Sequence, residues 1–544
     1  MPYNYKNQWN VSLWMKSPAI LLFVSIFLIS GCTDNNPQRP NVILIMADDM
    51  GWAQTGYYGH PILKTPNLDA MAANGLRMDR FYAGAPSCTP TRASVLTGRT
   101  NDRTGAFRVG SYINKQEKML STAFRESGYL TAHFGKWHLN MDSPDLEHPL
   151  PADDPHNPGE LGFDYWLSHT TGFDRSFDLS RNGVLEKFEG DGSEIIVEEA
   201  VRFITDELER GKPFFIVIWY SAPHGPWDAS EEDIKPFLGK VDRTSAHAHG
   251  EIVAMDRSIG NLRTSLRELG IADNTLVWFT SDNGGSPNLD VRVWPSKDSF
   301  GGVYGQGMEM EYPSNCSNEI DFNLTSTEAR ELHGCIRGMD PDSTGYLRGF
   351  KKDFYEGGLR VPTVIEWPSG IEPRVTNFPS STYDMFPTLI DVAGLSPDSI
   401  NAVHDGISII ELFDYELPKR EAPIGFRANG GLMWLDNDWK LVRNVDYDGK
   451  KFVTTDYELY NVIGDPTESN NLIDMYPEIA AKMIEQQSKW SLSVSKSAFG
   501  ADYPEKQVLD SGRVNLIPRI ENQRERRFKE WREEIRLSEV TVLP

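Results

Sequence analysis

Apolar residues cluster along the chain in short runs that lack strict alternation: Val42 to Ala47, Leu130 to Phe134, Phe214 to Tyr220 and Leu276 to Thr280. A strand with one wet face would alternate, so runs of this kind predict strands of a parallel sheet covered on both sides. Amphipathic stretches separate them, at Asn67 to Asn74, Leu120 to Glu126, Ile195 to Glu209 and Glu251 to Leu269, and these predict helices. The result is an α/β fold, a large mixed, mostly parallel sheet flanked by helices. From about Glu421 to Ser497 the pattern changes. Short pieces (Leu432 to Leu435, Trp439 to Val442, Lys451 to Thr455) precede a helical stretch near Glu478 to Trp490, which predicts a smaller C-terminal domain of antiparallel sheet plus helix. The tail from Arg519 to Arg536 is rich in Arg and Glu and reads as a solvated helix. The expected boundaries are 41–415 for the large domain and 416–544 for the smaller one.

The first 40 residues follow a different logic. Lys6 and Lys16 precede a largely apolar run from Ala19 to Ile29, too short to span a bilayer comfortably and laid out like a signal peptide. Ile29-Ser30-Gly31-Cys32 looks like a bacterial lipobox, which makes Cys32 the expected lipidation site, 1–32 the signal segment and 33–40 a polar tether. The chain is therefore expected to be an exported lipoprotein of the periplasm or outer membrane, held to the membrane by its N-terminal lipid. A formal charge of −24 argues against nucleic acid as a partner, since phosphates need a basic footprint. Only four cysteines occur, which is informative in a chain bound for an oxidising compartment. Cys32 is assigned to lipid, Cys316 and Cys335 are candidates for pairing with each other, and Cys88 is left as a thiol that calls for an explanation.

Open α/β sheets bind ligands beyond the carboxyl ends of their strands. The first run ends in Asp48-Asp49, the second leads into Gly135-Lys136-Trp137-His138, the third into Ala222-Pro223-His224 and the fourth into Asp282-Asn283. Asp48, Asp49, Asp282 and Asn283 offer oxygen donors suited to a hard divalent cation, calcium or magnesium rather than zinc. One Asp-Asp pair after a strand would read as a capping turn; two acid-bearing pairs on separate strands favour a metal. Pro90 suits the first turn of a helix, so Cys88 is expected at a helix N-terminus, where free amides and the macrodipole favour an anion and Arg92 adds a charge.

The segment from Cys88 to Arg99 resembles the signature of the type I sulfatases of the alkaline phosphatase superfamily, C-x-P-x-R followed by x-x-x-L-T-G-R, with every fixed position present. Thr91 departs from it where Ser or Ala is usual. NVILIMADDMGW, GKWH, APHGPW, SDNGG, LRGFKKDFYEGGLRVP, DMFPTLIDVAG and LYNVIGDPTESNNL resemble family blocks in the family order. The resemblance implies an alkaline phosphatase-like fold and an arylsulfatase-like sulfuric ester hydrolase. It implies that a formylglycine-generating or radical maturation enzyme oxidises Cys88 to formylglycine, whose hydrate attacks sulfur with one hydroxyl and expels sulfate with the other. It implies one calcium held by Asp48, Asp49, Asp282 and Asn283 beside the modified Cys88. Arg92 is the implied activator of the diol, Lys136 and His138 the implied contacts to the modified residue and sulfate, His224 the histidine near the leaving oxygen and Lys351 the second sulfate-binding lysine. Its neighbour Lys352 is the residue with which Lys351 could be confused, and the spacing to Glu356 favours Lys351.

Enzymes of this kind act on sulfated polysaccharides or their oligosaccharides, algal glycans such as ulvan or glycosaminoglycans, with exo action favoured. The stretch Ser286 to Tyr346 is expected to form loops over the pocket. Arg292 and Trp294 lie within it, and neither is nominated as a subsite residue. Two other readings stay open: a phosphate or phosphonate ester hydrolase on the same scaffold, and a catalytically silent polysaccharide-binding lipoprotein with an intact Cys88 thiol.

Overall fold

The computed structural model describes residues 39–140, 150–241, 243–286, 343–345, 347–428, 430–447, 452–509 and 518–540. Cys32, Cys316, Cys335, Arg292, Trp294, the signal segment and most of 286–346 lie outside the described residues.

In chain order the first strands are β1 (Asn41–Ala47), β2 (Leu76–Met78), β3 (Phe81–Tyr82), β4 (Leu130–Lys136), β5 (Tyr165–His169), β6 (Arg175–Arg181), β7 (Val184–Asp191), β8 (Phe214–Trp219), β9 (Thr275–Ser281), β10 (Val364–Glu366), β11 (Arg374–Thr376) and β12 (Ser380–Ser381). Ten of them form one sheet in the order β11-β2-β10-β9-β1-β8-β4-β5-β6-β7, while β3 and β12 pair separately. The centre is parallel: β1 pairs with both β8 and β9, and β4 continues the parallel run to β5. Both flanks turn antiparallel, at β10 on one side and through the β5-β6-β7 meander on the other.

The four predicted central strands are all present, each within two residues of its expected ends. Strand β1 shows why its pattern does not alternate: Val42, Leu44 and Met46 enter the core on one face, with Leu96 and Phe124, while Ile43, Ile45 and Ala47 enter the core on the other, with Ile252 and Ile259. The predicted helices appear as Pro66–Ala73, Leu120–Glu126, Gly192–Glu207 and Arg243–Glu268. The last begins two turns before its apolar periodicity does, because Ala246 and Ala248 are buried among polar neighbours. With neighbours β8 and β9 reached by chain crossing in opposite directions, the carboxyl end of β1 opens into a crevice.

The C-terminal segment contains the antiparallel sheet β13 (Ile424–Ala428), β14 (Gly431–Asp436), β15 (Trp439–Arg443) and β18 (Glu458–Asn461) in that order. The predicted Lys451 to Thr455 piece is β17 (Phe452–Thr454), which pairs with β16 (Val445–Tyr447) as a separate ribbon. The helix Pro477–Ala498 extends two turns beyond its expected end. The tail helix, Pro518–Val540, is docked as well as solvated, which corrects the sequence expectation. Its Trp531 is buried against Phe107 and Ala498, with the Arg427 guanidinium 5.1 Å from the ring centroid. One aromatic stripe in a strongly charged helix suffices to attach it.

A buried ion triad ties the C-terminal sheet to the short helix that begins at Glu356. Lys440 on β15 lies 2.9 Å from both Glu356 and Glu468, and none of the three is exposed. Burial, reinforced by Glu356 against Lys440, pushes the Glu468 carboxyl up to about 7. Replacing Lys440 by Ala should therefore destabilise the protein by about 3–5 kcal/mol, as expected when a buried pair loses one partner. Lys440 holds the pKa values of Glu356 and Glu468 down, so its removal raises both and the loss should grow as pH rises from 5 to 8, which melting curves of both proteins at both ends would show.

Candidate active site

Four strand ends and one helix N-terminus meet in the crevice. Asp48 and Asp49 follow β1, Lys136 ends β4, and Asp282 and Asn283 follow β9; all are at most 4% exposed. His224 lies in the loop after β8, and Lys351 comes from the segment before Glu356. Cys88 is the first residue of the helix Cys88–Thr97, buried and free, as the position of Pro90 predicted. It is Lys351, rather than the exposed Lys352, that reaches into the cluster.

The carboxylates and cations interlock. Arg92 donates through Nη2 to Asp282 Oδ2 at 2.8 Å, stands 3.5 Å from Asp48 Oδ2, and donates through Nη1 to the Lys136 carbonyl at 3.0 Å. Its guanidinium lies 5.0 Å from the centroid of the Trp219 ring, a neighbour that the sequence reading did not pick out. Lys136 donates to Asp48, and Lys351 donates to Asp49 Oδ2 at 2.8 Å. His224 Nε2 is 3.6 Å from the same oxygen. Asn283 Nδ2 donates to Asp49 Oδ1 at 2.7 Å, and the Asp49 amide donates to Asp282 Oδ1 at 3.0 Å. Donor atoms of Asp48, Asp49, Cys88 and His224 all lie within 4.8 Å of one another. His224 thus joins the compact group, while the Asp282 carboxylate faces Arg92.

The backbone is bent to fit. Asp49 and His138 hold φ of 66° and 57°, left-handed conformations that cost roughly 1–2 kcal/mol in a residue with a Cβ. The His138 amide donates to Thr170 O, and its carbonyl accepts from Thr89, the residue after Cys88. Gly135 sits so close to β8 that a Cβ would come within 2.0 Å of the Trp219 carbonyl oxygen, and one on Gly284 would come within 1.8 Å of that of Gly357.

Burial opposes ionisation of Asp48, yet Lys136, with His224, Arg92 and Lys351, holds its carboxyl well below the usual range. Burial and the Asp48 charge push Asp282 up to about 7 against Arg92. Burial, then Lys136 and Arg92, keep His138 well below the usual imidazole range; burial and Lys351 lower His224, so both rings are neutral near pH 7. Asp48 Oδ1 and Asn283 Oδ1 are buried with no hydrogen-bond partner. Orphan oxygens beside ionised carboxylates are the donor chemistry of a hard cation, so these residues fit a calcium ion.

Burial also pushes the Cys88 thiol up to about 12. A chain in which Cys88 remains a thiol should therefore resist iodoacetamide at pH 8, where about one molecule in 10⁴ would carry the thiolate, and should react readily once denatured. Peptide mass spectrometry of the two samples measures the difference.

Comparison with known proteins identifies the family and agrees with the fold. Residues 40–395 match the Sulfatase family. The chain is 31% identical over 409 residues to the N-acetylgalactosamine-6-sulfatase of Canis lupus familiaris and to that of Homo sapiens, each alignment covering 69% of this chain and 66% of the relative. It therefore spans just under two thirds of the length of those curated relatives. The crystal structure of Ps i-CgsB in complex with k-i-k-neocarrahexaose shares the fold, with a TM-score of 0.66 at 24% identity, over 84% of this chain and 93% of that one. With the match covering most of the chain and the same architecture beneath it, this chain belongs to the sulfatase family of the alkaline phosphatase superfamily.

Proposed function

We propose that the protein is an exported sulfatase that hydrolyses sulfate esters of a sulfated saccharide. The observation that carries this reading is the placement of Cys88 among Asp48, Asp49 and His224, with Arg92, Lys136 and Lys351 bonded to the surrounding acids. Charge counting supports it. With a divalent cation bound and Asp282 ionised beside it, Asp48, Asp49 and Asp282 contribute three negative charges against three positive from Arg92, Lys136 and Lys351, and the pocket stands at +2. A sulfate monoester anion and an ionised nucleophile bring −2, which closes the balance; a phosphate monoester dianion would overshoot it. Neutralising the charge that develops at a reacting centre is commonly the largest catalytic contribution.

In this reading Cys88 is matured to formylglycine, whose hydrate supplies one hydroxyl for attack on sulfur and a second for release of sulfate. Calcium, held by Asp48, Asp49, Asp282 and Asn283, would neutralise sulfate oxygens. Arg92 would orient the hydrated side chain, Lys136 and His138 would contact it and the sulfate, Lys351 would bind the sulfate, and His224 would stand near the leaving oxygen. The names of the relatives point to a saccharide. Two act, by name, on N-acetylgalactosamine 6-sulfate, and one structure was solved with neocarrahexaose. Export as a lipoprotein anchored through Cys32, and encounter with a maturation enzyme on the way, rest on the N-terminal sequence and on the signature around Cys88.

Produced in a maturation-competent host, the Cys88 peptide should be about 18 Da lighter than its cysteine form, since a thiol becomes an aldehyde; an unmodified peptide would overturn the reading. Asp282→Ala should weaken calcium binding and lower turnover of an aryl sulfate about 10²–10³-fold, while the matched aryl phosphate should be the poorer substrate of the unmutated enzyme. Full activity in that variant would remove the metal assignment.

A further inference from the structure

A second acidic cleft lies beside the loop that carries His224. Asp174, which precedes β6, Asp191 at the end of β7, Asp228 in the loop after β8 and Glu251 on the helix Arg243–Glu268 line it, together with Ser193 and Ala222. It opens on the same edge of the sheet as Cys88, since Ala222 is two residues from His224. Asp191 is partly accounted for: its Oδ1 accepts from Ser193 N at 2.9 Å and Glu194 N at 3.3 Å, capping the helix Gly192–Glu207. Among the described residues, none of the four acids forms an ion pair with Lys, Arg or His. Lys136 acts on Asp174, and Asp228 on His247, only at a distance.

Glu251 is the unexplained member. It is 4% exposed; its Oε1 accepts from Asp228 N at 2.8 Å, and its Oε2 is buried with no partner. An orphan carboxylate oxygen costs the full desolvation of that group unless a proton or a cation satisfies it. The innermost space has room for about one body the size of a water molecule and opens to solvent, which suits a small ion. Carboxylate oxygens of this kind, once ionised, are all-oxygen donors that select a hard divalent ion.

We propose that this cleft is a second cation site, which takes one calcium-sized divalent ion through Glu251, Asp174 and Asp228. Burial and the neighbouring acids push the Asp174 carboxyl up to about 8 and that of Glu251 well above its ordinary value, so the ion displaces protons when it binds. Only the Asp48, Asp49, Cys88 and His224 group, among the described residues, has its donor atoms within 4.8 Å of one another. The second cleft is wider, and its ion completes its coordination with water and binds more weakly than at the first site. The consequence falls on His224. Its loop is already tied to the helix Arg243–Glu268 through the Asp228 amide and braced by Trp227 Nε1 donating to Pro223 O at 2.7 Å. An ion shared by Asp228, Glu251 and Asp174 fastens that loop between the helix and the start of β6.

The site does not depend on the sulfatase reading, and calcium titration of the full-length protein separates the two. Isothermal titration should show two classes of site in the unmutated protein. Asp282→Ala should lose or weaken the tighter class, and Glu251→Gln should weaken the second at least tenfold while leaving the first unchanged. In EDTA the Glu251→Gln protein should melt no lower than its parent, because a buried acid has been removed, and it should lose the part of the calcium-dependent rise in Tm that appears at high calcium. If Glu251→Gln fails to fold, Asp228→Asn, at an exposed position, should show the same loss. A single class of site in the unmutated protein that Glu251→Gln leaves unchanged, or a second class indifferent to both substitutions, overturns the proposal; a single class that Glu251→Gln weakens and Asp282→Ala does not would count against the catalytic metal and leave this site standing.

Discussion

Three carboxylates cannot be buried at the ends of adjacent parallel strands unless something positive is buried with them. Asp48, Asp49 and Asp282 meet because β1 and β9 are hydrogen-bonded neighbours in register, and the cost of removing their charges from water is met by Arg92, Lys136 and Lys351. Each cation comes from a different part of the chain. The charge balance therefore fixes where the helix Cys88–Thr97, the end of β4 and the segment around Lys351 must sit. Arg92 carries the most consequence, since its links to Asp282, Asp48 and the Lys136 carbonyl bring Cys88, one turn earlier on the same helix, into the crevice.

The backbone accepts strain to keep that arrangement. The left-handed turns at Asp49 and His138 and the close approaches at Gly135 and Gly284 all occur within two residues of a charged or nucleophilic group. None would persist without the packing of both sheet faces behind it. The acids stand immediately past the ends of β1 and β9, whereas His224 and Lys351 enter the crevice from loops.

Much of this was legible in the chain. Central strands announced themselves as non-alternating apolar runs because both faces of the sheet are covered, and the residues that follow such runs are the ones an α/β sheet presents to a ligand. Asp48, Asp49, Lys136 and Asp282 could thus be nominated without coordinates. The outer strands β2, β10 and β11 are too short to show a period, and the tail helix looked solvated because a single buried Trp531 among many charges leaves almost no pattern. Glu251 could not be recognised at all: on a helix with acids and histidines nearby it reads as a solvent-facing residue.

What the amino-acid order determined by itself was local: which segments would be strands, which helix would begin at Cys88 beside Pro90, and which acids would stand at strand ends. Only the tertiary structure decided which of those acids face one another. It placed Asp282 against Arg92 and His224 beside Asp49, and set Glu251 in one cleft with Asp174. The physical reason is that strand and helix formation depend on neighbours a few residues away, whereas the field at a buried charge depends on groups far apart in the chain, 302 positions between Asp49 and Lys351.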